Sequence, residues 1–302
     1  MMNQKNKIAF LGGDKRQYTA ALKISEYGRE SYIWGQKNEG TINVQVAKNL
    51  EEALHGARTV VLPLPASFDG ITLNCLPGES EERARLDAIL EYLTDRDCAC
   101  VIGGKIPSSF VAGAREKNIS CFDYFESEAF QIKNAYITAE AALSVAMNNI
   151  PKTVRDSRFA ITGYGRISKQ LVELLRGVGA EVTVLARKER DLASAELSGC
   201  RTIDLGSDIH EAIKPLCHGY DVIFNTVPSL IFEREFLESV DSRTLMIELA
   251  SAPGGIDVSA ARTLGSRVLW ASALPGKYAP QSAGELIAEC VEKILRKEEK
   301  RV

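Results

Sequence analysis

The chain has no apolar run long enough to span a bilayer, no block of basic residues and no cysteine pair in a C-x-x-C arrangement. The first absence argues against a transmembrane helix. The polar start Met1-Met2-Asn3-Gln4-Lys5-Asn6-Lys7 runs directly into a strand, so no signal peptide and a cytoplasmic location are expected. A net charge of −3 without basic clusters makes neither nucleic acid nor an anionic membrane an expected partner. Histidine is scarce: His55, His210 and His218 are scattered without metal-ligand spacing, although Cys217 and His218 are adjacent, and no metal site is expected. The cysteines number seven, an odd count, and read as small core residues of a reducing compartment. Cys98 and Cys100 fall on one face of a predicted strand.

What is present points to an α/β protein. A length of 302 residues suits two domains at roughly 100–200 residues each. Near the middle, Phe159-Ala160-Ile161-Thr162 leads into Gly163-Tyr164-Gly165-Arg166-Ile167-Ser168 and then an amphipathic segment to Val178. That is a strand, a tight turn and a helix. In a dinucleotide-binding unit the first glycine makes the turn and the second admits the pyrophosphate, which sits on the helix N-terminus. Ser168 stands where the third glycine of the fingerprint is usual, and it is small enough to keep most of that glycine's packing role. Glu181 to Ala186 reads as the next strand. At its end, roughly twenty residues past the glycines, an NAD site carries an acid. Here Arg187-Lys188 follow instead, and cations suit a 2′-phosphate, which favours NADP over NAD. Alternatively the basic pair is only a solvated loop. The residues assigned to the cofactor are Gly163, Tyr164, Gly165, Arg166, Ile167, Arg187 and Lys188, with Asn225, Thr226, Val227 and Pro228.

The chain opens with a similar unit: strand Lys7–Leu11, turn Gly12-Gly13-Asp14-Lys15-Arg16, helix to about Tyr27 and strand Ser31–Trp34. The turn is either a carboxylate-binding backbone with cations nearby or a plain tight turn. Strands follow at Thr59–Pro65, ending in prolines, at Cys98–Ile102 and at Ile119–Phe122, with a helix from about Glu79 to Leu93. Tyr136 to Met147 is small and helical, with Thr138 as a possible N-cap and Glu140 either a first-turn acid or a cleft residue. Beyond the central unit, Cys200–Ile203, Tyr220–Asn225, Thr244–Leu249 and Arg267–Trp270 alternate with helical segments, as in a doubly wound parallel sheet. The loops Asn225–Ser229, Glu248–Gly255 and Ala271–Pro280 are expected on one carboxyl edge with Gly163 and Gly165. The expected architecture is two Rossmann-like doubly wound parallel-sheet domains joined by a bridging helix with a cleft between them. Residues 1–137 form the substrate domain, 138–281 the NADP-binding domain, and helix 282–302 packs back on the first.

The start Ile8 to Gln17, the linker Thr138-Ala139-Glu140, the turn Gly163-Tyr164-Gly165-Arg166, the pair Ala186-Arg187, the segment Asn225-Thr226-Val227-Pro228-Ser229, and Leu274 to Pro280 with Ala283-Gly284 together resemble the A subunits of dipicolinate synthases. The likeness runs in order from about residue 7 to 295. Ser168 and Ala141 depart from it, each standing where a glycine is usual. The resemblance implies an NADP-dependent oxidoreductase of the mother cell of an endospore-forming bacterium. It would work with a flavoprotein-like B subunit, in a homo-oligomer, to convert dihydrodipicolinate or 4-hydroxy-tetrahydrodipicolinate into dipicolinate. For that chemistry the loop positions suggest Gly12, Gly13 and Arg16 as a carboxylate clamp with Lys277. They also suggest Ser251, Pro253 and Gly254 beside the substrate, Asn225 near the nicotinamide, and Glu140 as base by elimination. A D-2-hydroxy-acid dehydrogenase is the nearest rival, but no histidine follows His218 to serve as its acid/base. A non-catalytic NADP-binding protein that leaves the chemistry to its partner is the other.

Overall fold

The computed structural model describes residues 7–36, 43–76, 84–94, 98, 100–206 and 208–300. They form two compact units: unit 1 is Met1–Asn134 with Ala279–Val302, and unit 2 is Ala135–Tyr278.

Unit 1 is built on β1 (Lys7–Leu11), β2 (Ser31–Trp34), β3 (Gln45–Val46), β4 (Ala57–Val61), β5 (Cys100–Gly103) and β6 (Ser120–Asp123), a parallel sheet in the order β3-β2-β1-β4-β5-β6. Its helices are α1 (Lys15–Glu26), α2 (Leu50–Leu54), α3 (Leu86–Thr94), α4 (Ser108–Glu116) and the first part of α5 (Glu128–Met147). Unit 2 repeats the plan with β7 (Arg158–Thr162), β8 (Glu181–Ala186), β9 (Arg201–Asp204), β10 (Val222–Asn225), β11 (Leu245–Glu248) and β12 (Val268–Trp270), all parallel and ordered β12-β11-β10-β7-β8-β9. It carries α6 (Arg166–Gly177), α7 (Glu189–Leu197), α8 (Ile209–Ile213), α9 (Arg234–Ser239), α10 (Val258–Leu264) and α11 (Leu274–Tyr278). In both sheets the order reverses beside the first strand, the topological switch point at which open α/β sheets receive ligands.

The central strands are apolar throughout because both faces are covered. In unit 2, Phe159, Ile161, Val184 and Phe224 pack on one side with α5 and α6, while Ala160, Leu185, Ile223 and Met246 face the other. That alternation is the period-2 geometry of a strand. Phe159 and Phe224, neighbours on paired strands, stack with ring centroids 6.1 Å apart.

Several local readings change. α5 begins at Glu128, with the Ser127 hydroxyl accepting from the Phe130 amide at 3.4 Å, so Thr138 lies mid-helix and buried rather than at an N-cap. The shift to small residues at Thr138 does not interrupt a helix, since neither glycine nor proline marks a break there. Glu140 is accordingly a mid-helix, exposed acid. α3 begins at Leu86; the stretch 79–83 of its expected span lies outside the described residues. β5 starts at Cys100, leaving Cys98 ahead of the strand with its thiol directed to the Cys100 carbonyl. All seven cysteines are free, and burial pushes the Cys98 thiol up to about 12 and those of Cys75 and Cys121 up to about 11.

The last helix, α12 (Pro280–Glu299), belongs to unit 1 and lies on α1. The crossing is close: a Cβ at Gly284 would sit 2.6 Å from the Arg16 carbonyl oxygen. Arg29 pins it further, donating to Glu292 at 2.6 Å and to Glu299 at 2.7 Å, while Arg296 also donates to Glu292 at 2.6 Å. Burial works to raise the Glu292 pKa, but hydrogen bonds from Arg29 and Arg296 together hold it below the usual carboxylate value. Arg29 does the same for Glu299. These depressed carboxyls contribute stability that is fully present above the unfolded pKa of about 4.3 and is lost as pH falls through their lower folded values. Arg29→Met is expected to lower stability at neutral pH by roughly 1–3 kcal/mol, between exposed and buried ion pairs. The gap between variant and parent should narrow in thermal unfolding curves below that pH. A gap that is constant with pH would show that the contribution of Arg29 is packing alone.

Candidate functional site

The candidate site lies at the carboxyl edge of the unit 2 sheet. β7 ends in the buried Thr162, and Gly163 turns the chain at φ +84, a backbone region open to few residues other than glycine. A Cβ at Gly163 would also fall 2.8 Å from Thr226 Oγ1 and 3.0 Å from Val227 Cγ2. Gly165 is the N-cap of α6, no side chain caps that helix, and a Cβ there would meet no other atom within 4 Å. An uncapped helix start with an approachable backbone suits an anionic group, which its amides and dipole stabilise. Arg187 and Lys188, just past β8, are exposed and form no ion pair among the described residues.

Tyr164 is buried and points away from the turn; its hydroxyl lies 3.2 Å from Ser198 Oγ at the end of α7, so only its backbone borders the turn. Arg166 is exposed in the first turn of α6, while Ile167 packs against the core. Ser168 is fully buried and shares a 2.9 Å hydrogen bond with the Thr226 hydroxyl, which donates to the Thr162 carbonyl at 2.7 Å. The residue that replaces the third glycine therefore ties α6 to the β10 loop.

A buried polar web organises the edge. Asn225, at the end of β10, is wholly inaccessible. Its Oδ1 accepts from the Thr162 hydroxyl at 2.5 Å and from the Val227 amide at 3.3 Å. Its Nδ2 donates to the Val227 carbonyl at 3.0 Å and to both oxygens of Glu248, at 2.7 and 2.9 Å. Glu248, at the end of β11, is equally buried and also accepts from the amides of Ala250 (2.9 Å), Gly255 (2.8 Å) and Ile256 (3.1 Å). The expectation of Asn225 beside a nicotinamide is corrected by this burial: its amide is fully engaged in shaping loops and reaches no surface. Glu248 was missed as a site residue, although an acid ending the apolar run Leu245–Ile247 before a Pro-Gly-Gly loop was a signal. Ser251 and Pro253 are exposed on that loop, Gly254 is buried, and Val227 and Pro228 follow Thr226 on the neighbouring one. Lys277 is exposed in α11.

Unit 1 presents a different edge. Its first turn glycine matches that of unit 2, since the Gly12 amide donates to the Trp34 carbonyl as the Gly163 amide does to Leu185. The Gly13 amide, however, donates to the Asn74 carbonyl at 2.7 Å, and a Cβ at Gly12 would lie 2.5 Å from that oxygen and 2.9 Å from Cys75 Sγ. The chain's own segment covers the turn, so the Gly12 and Gly13 amides do not hold a carboxylate. Arg16 is held by Asp14 through Nε and Nη2 and by the Leu64 carbonyl at 2.7 Å, with its side chain 11% exposed. Arg16, expected to clamp a substrate carboxylate, is thus a fixed cation with an acid already against it.

Among the described residues, no helix is long and apolar enough to cross a membrane, and no group of three or more His, Cys, Asp or Glu could hold a metal.

Two parallel sheets with one glycine turn leading into an uncapped helix define a dehydrogenase-type Rossmann architecture. At the level of fold, the chain is similar to a transhydrogenase of Sinorhizobium meliloti (TM-score 0.65, 13% identity, 96% of this chain and 92% of that one) and to a D-lactate dehydrogenase of Treponema pallidum (TM-score 0.59, 13% identity, 96% and 97%). Residues 7–125 match the family described as the N-terminal domain of the dipicolinate synthase A subunit. Across 96% of this chain and 95% of that protein, the chain is similar to the dipicolinate synthase A subunit of Bacillus subtilis, at 28% identity. The crystal structure of the corresponding protein from Bacillus halodurans superposes with a TM-score of 0.82 at 26% identity, covering 98% of this chain and 99% of that one. The B. subtilis structure gives the same score and identity.

Gly255 tests the web. A Cβ there would lie 2.5 Å from Asn225 Nδ2 and 2.7 Å from the Val227 carbonyl. Gly255→Ala is expected to lower the free energy of unfolding by roughly 1–3 kcal/mol, the cost of overpacking, measured by urea denaturation. An unchanged midpoint would mean that the two loops part freely.

Proposed function

We propose that the protein is the dinucleotide-dependent oxidoreductase component of a dipicolinate synthase, oxidising dihydrodipicolinate, or its 4-hydroxy-tetrahydro precursor after loss of water, to dipicolinate. The reading is carried by one conjunction: similarity to the dipicolinate synthase A subunit along nearly the whole chain, with the uncapped α6 behind Gly163 in unit 2. On this reading the protein acts in the cytoplasm of a sporulating mother cell, as a homo-oligomer with a flavoprotein-like B subunit.

The α6 N-terminus and the backbone of Gly163 to Ile167 would receive the pyrophosphate of NADP, and Arg187 with Lys188 its 2′-phosphate. When bound, the dinucleotide supplies the hydride acceptor. Forming the aromatic ring from a dihydro substrate releases one hydride from a ring carbon and one proton, so no protein nucleophile is required. The protein's part is to hold the ring, hold its carboxylates and accept the proton. Thr226 to Pro228 and Ser251 to Gly254 are the loops assigned to the nicotinamide and substrate. Lys277 and Arg16 are each assigned as a carboxylate-holding cation, with Asp14 competing for Arg16, and Glu140 is assigned as proton acceptor.

Purified protein mixed with NADP and chemically generated dihydrodipicolinate is expected to produce reduced cofactor, followed by absorbance, with and without the B subunit. Activity only in the mixture would favour a binding role for this chain, and none in either would sink the assignment. Arg187→Ser is expected to raise the Kd for NADP by roughly 10- to 100-fold, the worth of charge-assisted hydrogen bonds, while leaving NAD binding unchanged. Equal losses for both dinucleotides would remove Arg187 from the 2′-phosphate.

A further inference from the structure

We propose that Glu248 is a positioning residue whose buried carboxylate sets the two loops of the dinucleotide edge before any ligand arrives. The inference rests on the dinucleotide reading of unit 2 and adds to it the device that makes the edge ready to bind.

Glu248 terminates β11 and is 0% exposed, as is Asn225 at the end of the neighbouring β10. Within the 248–256 loop, its carboxylate accepts from three backbone amides: Ala250 on Oε1, and Gly255 and Ile256 on Oε2. From the 225–229 loop it accepts the amide of Asn225 on both oxygens. Asn225 passes the connection on to Thr162, and Thr226 passes it to Ser168 in the first turn of α6. One carboxylate thus sits at the head of a chain of hydrogen bonds that ends beneath the turn assigned to the pyrophosphate.

An acceptor-only group is what this position requires. A carboxylate has about four lone-pair positions and no hydrogen of its own, so it can face several donors at once. Every neighbour with which Glu248 hydrogen bonds is a donor: three N–H groups and one NH2. A glutamine of the same shape must aim an NH2 at one side of this set, setting donor against donor whichever way the amide is turned. An aspartate keeps the charge but is one methylene too short to meet Gly255 and Ile256. The loops also have no slack, because a Cβ at Gly255 would lie within 2.8 Å of Asn225 Nδ2, Val227 O and Ser229 O. The loop positions are therefore set by buried hydrogen bonds rather than by contact with a ligand.

The consequence concerns populations. In Glu248→Gln the free protein can relieve the donor conflict by letting the 249–256 loop open to water, so the ordered form becomes a minor fraction. Apparent affinity then falls by that fraction, while the ordered form itself binds as before. A dinucleotide at saturation should pull the loop back into order.

The test compares the full-length protein with its Glu248→Gln variant, by titration calorimetry with NADP and with NAD, and by amide hydrogen exchange resolved at Gly255 and Ile256. The expected result is a Kd raised roughly 10- to 100-fold, as for one or two buried donors left without an acceptor. Exchange protection at both amides should be lost in the free variant and restored at saturating dinucleotide, and Glu248→Asp should not rescue it. Unchanged affinity, unchanged protection in the free variant, or protection that saturating ligand does not restore would each overturn the proposal. If Glu248→Gln does not fold, Asn225→Ala serves. It keeps Glu248 and its three backbone donors, so protection at Gly255 and Ile256 should persist while that at Val227 falls, and the reverse pattern would overturn the proposal. Should the parent protein bind neither dinucleotide, the dinucleotide reading fails by that result alone. The protection data then separately decide whether Glu248 orders the loop.

Discussion

The carboxyl edge of unit 2 depends on a single electrostatic fact: a fully buried carboxylate, Glu248, is matched by hydrogen-bond donors on every side that it bonds. Parallel strands deliver their loops to one edge, but nothing in strand pairing dictates what those loops do once they leave the sheet. Here they are fixed because burying an unpaired carboxylate or an unpaired amide would be costly. The arrangement present satisfies Glu248, Asn225, Thr162, Thr226 and Ser168 together. A partly satisfied network of this kind would be worse than an apolar core, so the web acts as a unit.

The two units show how one topology yields two different edges. Their strand orders are equivalent, and the first turn glycine of each bonds to the neighbouring strand in the same way. What separates them is the partner that each turn finds. In unit 1 the carbonyl of Asn74 takes the second amide of the turn, and the side chain of Cys75 packs against Gly12. In unit 2 no chain segment among the described residues covers Gly165. A backbone carbonyl on a turn amide does chemically what a phosphate oxygen would do, and so the first unit satisfies internally what the second presents outward. Folds of this kind host many chemistries, and likeness to lactate dehydrogenases therefore carries no activity with it. The sequence likeness to the dipicolinate synthase A subunit, running the length of the chain, is the stronger guide.

Most of the fold was legible in the residues. Apolar strands with turn glycines and amphipathic helices between them are local patterns, and a parallel doubly wound sheet follows from their alternation. The Gly163-Tyr164-Gly165 turn, the basic pair behind β8 and the loops after β10 and β11 could be placed on one edge by the same logic. Less legible were features that depend on what lies nearby in space. The start of α5 was hidden because a change to small residues at Thr138 looks like a boundary, while a helix needs only the absence of a breaker to continue. Tyr164 stands between two turn glycines in the sequence and yet its ring turns toward Ser198.

The sequence by itself determined the element types, their order, the family resemblance and the glycine turn with its two cations, because each is written in neighbouring residues. Only the tertiary structure decided which polar residues face solvent and which face protein. Gly12 and Gly13 proved covered by Asn74, far along the chain, and Arg16 proved held by Asp14 and Leu64. Asn225 and Glu248, each of which looks reactive when taken alone, proved to be partners across two strands. The physical reason is that a hydrogen bond is decided by distance and burial, and residues far apart in the chain acquire both only when the sheet brings its strand ends together.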